Sequence, residues 1–213
     1  MLTGIDGGLE PELLHLDSLM PEGSVAVDVG ANCGLYSYAL AKIASKVYAF
    51  EINSCLTAEL ELYRSTKIEV YNCGLSATAE TLKLYTPVTK SGFEMAGWGT
   101  LDVKNLPPCA KTKEQDVRVK PLDTFQLPKI DFMKINVVGH EVHVLNGARE
   151  TIARRRPTVL IEVKNENIPA VDAFFIAAAD YRKFTLQELI GIRGSEEKYI
   201  YLPRERRLTN KML

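Results

Sequence analysis

The sequence predicts an α/β fold in which a mostly parallel sheet carries helices on both faces. Three observations predict it. Val25-Ala-Val-Asp28-Val-Gly30 is a buried-strand pattern that runs through Ala31-Asn32-Cys33-Gly34 into a helical stretch, Gly34 to Ser45. A second strand, Lys46 to Glu51, ends in a carboxylate 23 residues after Asp28, near the spacing at which open α/β sheets place a ribose-binding acid. Apolar runs then alternate with helical patterns, as parallel strands joined by crossover helices require. Together these make the fold Rossmann-like, with a nucleotide-cofactor pocket at the glycine turn.

The 213 residues are 46% hydrophobic and 25% charged, which fits a single domain over 1–213 that buries its core without staples. A formal net charge of -1 gives no global electrostatic case for nucleic acid or an anionic membrane. Cys33, Cys55, Cys73 and Cys109 lack CxxC spacing and read as reduced thiols; with three histidines in the chain, no metal site is expected. No apolar run reaches the roughly 20 residues that span a bilayer, and the N-terminus lacks a basic region followed by an apolar core. A cytoplasmic protein is expected.

Element by element, Glu10 to Leu19 reads as an amphipathic helix within an N-terminal segment 1–23, broken by Pro21-Glu-Gly23. Ser24 to Val29 is the first strand, Gly34 to Ser45 a helix, and Val47 to Glu51 the second strand. Leu56 to Arg64 is a helix and Ile68 to Asn72 the third strand. Across 82–119 the pattern changes. Leu82-Lys-Leu-Tyr85 alternates, Ser91 to Thr100 is glycine-rich, and Asn105 to Lys113 carries two prolines. This predicts an inserted hairpin and a loop serving as a lid over a site. Strand four is Ile130 to Val137. One helix follows from His140 to Arg154, with Val142, Leu145, Ala148 and Ile152 on one face and Pro157 beyond its end. Thr158 to Val163 is strand five and Ala170 to Ala179 a helix. Two short strands, Phe184 to Glu188 and Tyr199 to Leu202, would close the sheet.

The chemistry starts at Gly30 and Gly34, which without a Cβ permit a tight turn and close approach of a ligand. Free NH groups of the following helix suit an anion, either a pyrophosphate or the carboxylate of an amino-acid-like cofactor. The spacing Gly-Ala-Asn-Cys-Gly departs from GxGxxG, which favours S-adenosylmethionine over NAD. Glu51 can accept hydrogen bonds from both vicinal hydroxyls of a ribose, or stand as a solvated strand-end acid. Asp28 would fix the glycine loop and favour the cofactor's ammonium. Trp98, the only tryptophan, sits between Gly97 and Gly99, where it either stacks on a sugar or adenine or anchors the loop. Arg154-Arg-Arg156 and Arg204-Glu-Arg-Arg207 read as a solvated helix end and a charged tail.

Several segments carry a family resemblance. Asp28-Val-Gly-Ala-Asn32-Cys-Gly34, Ala49-Phe-Glu51, Asn72-Cys-Gly-Leu-Ser76, Pro121-Leu-Asp123, Asp131 to Glu141, Asn146-Gly-Ala148 and Arg156 to Glu162 resemble the FkbM family of S-adenosylmethionine-dependent O-methyltransferases, over about residues 24 to 163. The resemblance implies a class I methyltransferase fold, with a seven-stranded central sheet whose last strand is antiparallel. It also implies methylation of hydroxyls on saccharides, glycosylated small molecules or polyketide-type products. By the family pattern Asp28, Gly30, Asn32, Gly34 and Ser37 hold the methionine part of the cofactor. Glu51 holds the ribose with Ile52 beside it, and the turn Asn72-Cys73-Gly74 borders the adenine.

Strand four departs from that pattern. The family usually reads Lys-Ile-Asp-Val-Glu-Gly, and this chain has Lys134-Ile-Asn136-Val-Val138-Gly139. An amide cannot accept a proton as a carboxylate does and is a poorer ligand for a hard cation. Methyl transfer from a sulfonium is an in-line displacement in which the protein positions the acceptor and removes its proton. Glu162 matches a family position and is the first candidate base. His140 is the second, and Asn136 belongs to the catalytic set as the occupant of the family's acid position. Glu141 also matches a family acid, where a helix dipole favours one in any case. Lys134 pairs with an acid or lines the pocket. The expected partner is a small-molecule acceptor, a saccharide, with no nucleic acid and no membrane; a homo-oligomer is left open. The alternatives are a cofactor-binding protein without turnover, a nicotinamide oxidoreductase, and a methyltransferase acting on protein or nucleic acid.

Overall fold

Buried five- and six-residue runs build the centre of the molecule. In the computed structural model, which describes residues 10–62, 65–193 and 197–206, β1 (Val25–Val29) pairs in parallel with β2 (Lys46–Glu51), and β2 with β3 (Ile68–Asn72). Next in the chain come β4 (Gly74–Leu75), β5 (Glu80–Val88) and β6 (Lys111–Lys120), which form a separate three-stranded sheet in the order β4-β6-β5. β7 (Phe132–Ile135), β8 (Thr158–Glu162), β9 (Tyr181–Thr185) and β10 (Lys198–Pro203) return to the main sheet, whose order is β3-β2-β1-β7-β8-β10-β9. β10 is antiparallel to both of its neighbours. The order reverses between β1 and β7, and the crevice beyond the carboxyl ends of these strands is where open α/β sheets bind ligands.

The two-residue period of the strands divides the core. Val27, Met133 and Val159 face one side with Val144 and Ile152, whereas Ala26, Phe132 and Leu160 face the other with Leu16, Leu40 and Leu186. The helices are α1 (Leu16–Leu19), α2 (Leu35–Ala41), α3 (Ser54–Leu62), α4 (Glu141–Gly147), α5 (Arg149–Arg155), α6 (Ile168–Asp172) and α7 (Leu186–Ile190); α3 packs Leu60 with Ala31 and Ala49 in a third, smaller cluster, and the others supply those two faces.

Several expected boundaries change for local reasons. Glu10 to Leu19 is two pieces, a 3₁₀ turn at Pro11–Leu14 and then α1, separated at His15. The helix expected to reach Ser45 ends at Ala41. α3 begins at Ser54 because the Asn53 side chain accepts the Cys55 amide at 3.0 Å; the expected end at Arg64 lies outside the described residues. His140 to Arg154 is two helices broken at Ala148, because the Asp123 carboxylate accepts the amides of Glu150 and Thr151 at 3.1 and 2.8 Å and caps a new helix start. The stretch expected as one helix to Ala179 continues from α6 as a π-helical segment, Ala173–Ala178.

The strand expected at Phe184 to Glu188 stops at Thr185, where a capping box between Thr185 and Glu188 starts α7. The arginines expected in a solvated helix end and tail are instead partly structural. Arg156 pairs with Glu205 at 2.6 Å, and Arg206 donates to the Asp131 carbonyl at 2.8 Å. Arg207 lies outside the described residues. Among the described residues no helix is long and apolar enough to cross a membrane.

Candidate cofactor and acceptor site

The carboxyl ends of β1, β2, β7 and β8 open into a cavity of about 810 Å³. Its floor is the glycine turn. Gly30 has φ +73°, and a Cβ there would overlap the Asn136 carbonyl oxygen on the neighbouring β7 side. Only glycine therefore lets the two strand ends approach this closely. Gly34, at φ +97°, meets Leu60 and the Tyr38 ring in the same way. Its backbone conformation is thus what requires glycine, with the packing of Leu60 and Tyr38 added to it, and Gly34 is not among the cavity-lining residues.

Two buried carboxylates hold the turn. Glu51 accepts the Asn32 amide on Oε2 and the Asn53 amide on Oε1, each at 2.8 Å, and it lines the cavity. Burial raises its pKa, opposed by those two amides and by the charge of Lys134. Asp28 is fully buried beneath the turn. It accepts the Ser37 hydroxyl at 2.7 Å and pairs with Lys134 at 3.2 Å. Lys134 also donates to the Gly30 carbonyl at 2.9 Å and lies 4.8 Å from the Tyr36 ring centre. Lys134 therefore does both things open to it in the sequence: it neutralises an acid and reaches the cavity wall. Asp28 and Ser37 brace the turn from below and do not line the cavity.

Of the other expected cofactor residues, Gly30, Asn32, Ile52 and Gly74 line the cavity, and Asn72 and Cys73 do not. The Asn72 amide spans the carbonyls of Glu51 and Ile52, at 3.1 and 3.3 Å, so it shapes the loop after β2. The Cys73 thiol is half-buried and burial pushes its pKa up.

The opposite wall brings Asn136, Glu162 and His140 together at the cavity. The Asn136 amide donates to Glu162 Oε2 at 3.1 Å, and Lys198 Nζ lies 3.7 Å from the same oxygen. His140 Nε2 is 3.0 Å from the Ser76 hydroxyl, and its ring stacks on His143 at 4.5 Å. Burial and the neighbouring His143 lower the His140 pKa to about 4. Glu141, which matches a family acid, is buried at the cavity wall and accepts the Gly139 amide at 2.7 Å and the Asn167 amide at 2.6 Å. Val138 has φ +39°, a strained conformation for a β-branched residue.

The sequence reading missed a cluster behind Glu162. Lys198, at the start of β10, forms ion pairs with Glu10 and with Glu12, the latter at 2.7 Å, and the Tyr36 hydroxyl donates to both carboxylates. Burial pushes the Glu10 pKa up, while Glu12 is held down by its hydrogen bond from Glu10 and by Lys198, against the effect of burial. The available signal was a lysine within an apolar strand, a feature Lys198 shares with Lys134.

The roof is the 89–110 loop between β5 and β6. The Ala96 carbonyl accepts the Asn53 amide at 3.5 Å above the loop after β2, and the Thr100 hydroxyl donates to the Val138 carbonyl at 3.1 Å above the loop after β7. Trp98 lies between these tethers, half-buried and facing the cavity. Among the described residues no group of three or more His, Cys, Asp and Glu is placed to hold a metal ion.

A seven-stranded sheet with one antiparallel strand, and a cavity over a glycine turn flanked by a strand-end acid, define the class I methyltransferases. The FkbM methyltransferase domain matches residues 28–183, and the chain belongs to that family. No curated protein matches the chain. Among solved structures, an FkbM methyltransferase of Methylobacillus flagellatus shares 16% identity at TM-score 0.56, covering 84% of this chain and 43% of that one. The chain thus spans less than half the length of that relative. An rRNA methylase of Streptococcus thermophilus shares 14% identity at TM-score 0.51, covering 94% of this chain and 96% of that one. A Streptococcus mutans protein solved in complex with SAH shares 13% identity at TM-score 0.53, covering 94% and 97%. At these identities the likeness shows the fold.

Proposed function

We propose that the protein is an S-adenosylmethionine-dependent O-methyltransferase whose acceptor is a hydroxyl of a saccharide or a glycosylated small molecule. The observation that carries this reading is the cavity floor: a glycine turn held by Glu51 and Lys134, in a chain of the FkbM methyltransferase family. The residues present fit the cofactor. Glu51 is a buried carboxylate beside apolar walls at Phe50, Ile52 and Leu75, and about 810 Å³ lies high in the range of roughly 300–1,000 Å³ for small-molecule sites. When bound, the cofactor supplies an activated methyl group and its own leaving group.

In this reading Gly30, Asn32 and Lys134 shape the methionine end, Glu51 and Ile52 the ribose end, and Gly74 the base end. Asp28, Gly34, Ser37, Asn72 and Cys73 support those positions from outside the cavity. Glu162 takes the acceptor's proton. Glu162 stands first because it matches a family position; His140, neutral at pH 7 with its pKa lowered to about 4 by burial and by His143, has its Nε2 engaged at 3.0 Å with the Ser76 hydroxyl, which gives it a positioning role. Asn136 orients Glu162 through its amide. The chain is read as one cytoplasmic domain, and the net charge of -1 favours a small acceptor over nucleic acid. One observation favours a second reading, cofactor binding without turnover: Asn136 places an amide where the family usually has an acid.

The test is calorimetric titration with S-adenosylmethionine and its demethylated product, with chelator present and NAD as control, followed by an acceptor screen. Binding of both sulfur compounds without metal, and turnover that Glu162→Gln lowers at unchanged cofactor affinity, is the expected result. No binding sinks the reading. Binding without turnover on any acceptor selects the second one.

A further inference from the structure

We infer that Lys198 is a positioning residue of the proton acceptor: Glu10 and Glu12 hold its ammonium one step back from Glu162, so that the N-terminal turn sets how much of that positive charge the acceptor feels. This rests on the methyltransferase reading above, with Glu162 as the base, and adds the device that tunes it. The arrangement begins in the sheet. Lys198 opens β10 directly opposite Glu162 at the end of β8, in antiparallel register, so both side chains leave the sheet on one face. The Lys198 side chain is 8% exposed, against 31% for Glu162.

A lysine ammonium has three N–H donors and no acceptor. Two of its contacts go to the N-terminal turn, where Glu12 accepts at 2.7 Å and Glu10 accepts as well. Nζ stands 3.7 Å from Glu162 Oε2, close enough for charge attraction and too far for a hydrogen bond. The Asn136 amide takes the hydrogen-bonding place on that oxygen, at 3.1 Å. A neutral amide steadies a carboxylate without suppressing its affinity for a proton as strongly as a bonded cation does.

One ammonium thus faces three carboxylates. Tyr36, on α2, fixes the division: its hydroxyl donates to Glu10 and Glu12, and its ring centre lies 6.0 Å from the Lys198 ammonium. Other charged groups of the elements packed around Glu162 are engaged elsewhere. Lys134 on β7 pairs with Asp28, Glu141 on α4 takes the Gly139 and Asn167 amides, and Lys164 lies 3.9 Å from Glu197. His140, before α4, has its pKa lowered to about 4 and is neutral above that. Two opposite consequences follow. With the N-terminal acids weakened, the ammonium closes on Glu162 and makes it a poorer base; with the ammonium removed, Glu162 holds its proton to higher pH.

The experiment uses the full chain with its glutamate carboxyl groups labelled with carbon-13. The Glu162 resonance, identified by its loss in Glu162→Gln, is followed by NMR from about pH 3 to about pH 9. The expected result is a pair of changes of opposite sign. Lys198→Met raises the Glu162 midpoint by about one pH unit, and Glu12→Gln lowers it by about half a pH unit. A purely structural role for the cluster moves stability without driving the midpoint in opposite directions. Midpoints that move together, or a midpoint left in place by either substitution, overturn the inference.

Lys198→Met strands the buried Glu12 carboxylate, so the double variant that also carries Glu12→Gln is compared with Glu12→Gln alone. A midpoint about one pH unit higher in the double variant is expected; equal midpoints overturn the inference. The titration needs neither cofactor nor acceptor, and calorimetry with SAH on the same proteins decides the methyltransferase reading separately. Midpoints that move as expected in a protein that does not bind SAH keep the charge arrangement and drop that reading. Where an acceptor is turned over, the acidic limb of the rate against pH follows the midpoints, up for Lys198→Met and down for Glu12→Gln. A limb that stays in place overturns the role given to Lys198.

Discussion

The floor and the roof of the cavity are built by different means. The floor is fixed by buried charges on backbone groups and by one close approach: Glu51 accepts two amides, Lys134 donates to a carbonyl, and Gly30 admits the Asn136 carbonyl where any Cβ would collide. The roof is a loop that backbone bonds fasten to β5, Thr100 with Tyr85 and Met95 with Pro87, while single neutral tethers reach the loops of the floor and a surface pair, Lys113 with Glu94 at 2.8 Å, ties it to β6. A buried charge, or a position with no room for a Cβ, constrains residue identity narrowly, whereas an exposed pair or a single neutral tether constrains it little. The difference teaches that single substitutions should disturb the floor far more than the roof.

Five substitutions break or sharpen this contrast, in descending order of effect. Lys134→Met strands the fully buried Asp28 carboxylate without its cation and should cost about 3–5 kcal/mol of stability, read by denaturant unfolding. Gly30→Ala forces a Cβ into Asn136 and should cost about 3 kcal/mol, which corresponds to a fall of roughly 10 °C in Tm. If Gly30→Ala folds with an unchanged Tm, the floor is looser than its geometry implies. Glu51→Gln turns an amide donor toward the Asn32 or Asn53 NH and should weaken SAH binding on the order of 10-fold or more by calorimetry.

The fourth test is a pH profile at the junction of floor and roof. Burial lowers the His140 pKa from 6.5 to about 4. A lowered folded-state value means that the stability it contributes is complete above the unfolded value and is lost as pH falls from about 6.5 toward about 4. Thermal midpoints of the wild type should therefore decline across that window more steeply than those of His140→Gln, and parallel curves would refute it. Smallest of all is Glu94→Gln, which removes an exposed pair of the roof and should leave Tm unchanged.

The same contrast explains what could be read in advance. Asp28, Gly30, Gly34 and Glu51 announce themselves because strand patterning, turn chemistry and the spacing of two strand ends are local properties of sequence. The parallel pattern of the main sheet followed from that alternation, while its seven strands with the last antiparallel were implied by the family resemblance. Other features depend on partners far away in the chain. Nothing near Ala148 announces a helix break, since the cap that starts α5 comes from Asp123. The Lys198 cluster joins residues from opposite ends of the described chain. Gly34 shows a subtler limit: the sequence marks the glycine for a tight turn and close approach of a ligand, but the structure keeps it out of the cavity lining, where its φ of +97° is what requires it.

That cluster has a consequence for the order of assembly. Lys198 meets Glu10 and Glu12 across sequence separations of 188 and 186 residues, and contacts of such length come late because loop closure precedes any gain from them. β10 must dock between β8 and β9 before the lysine can reach Glu162 and the N-terminal carboxylates. During refolding the glycine turn can therefore form early, while the wall beside the proton acceptor is completed only as the two distant segments meet.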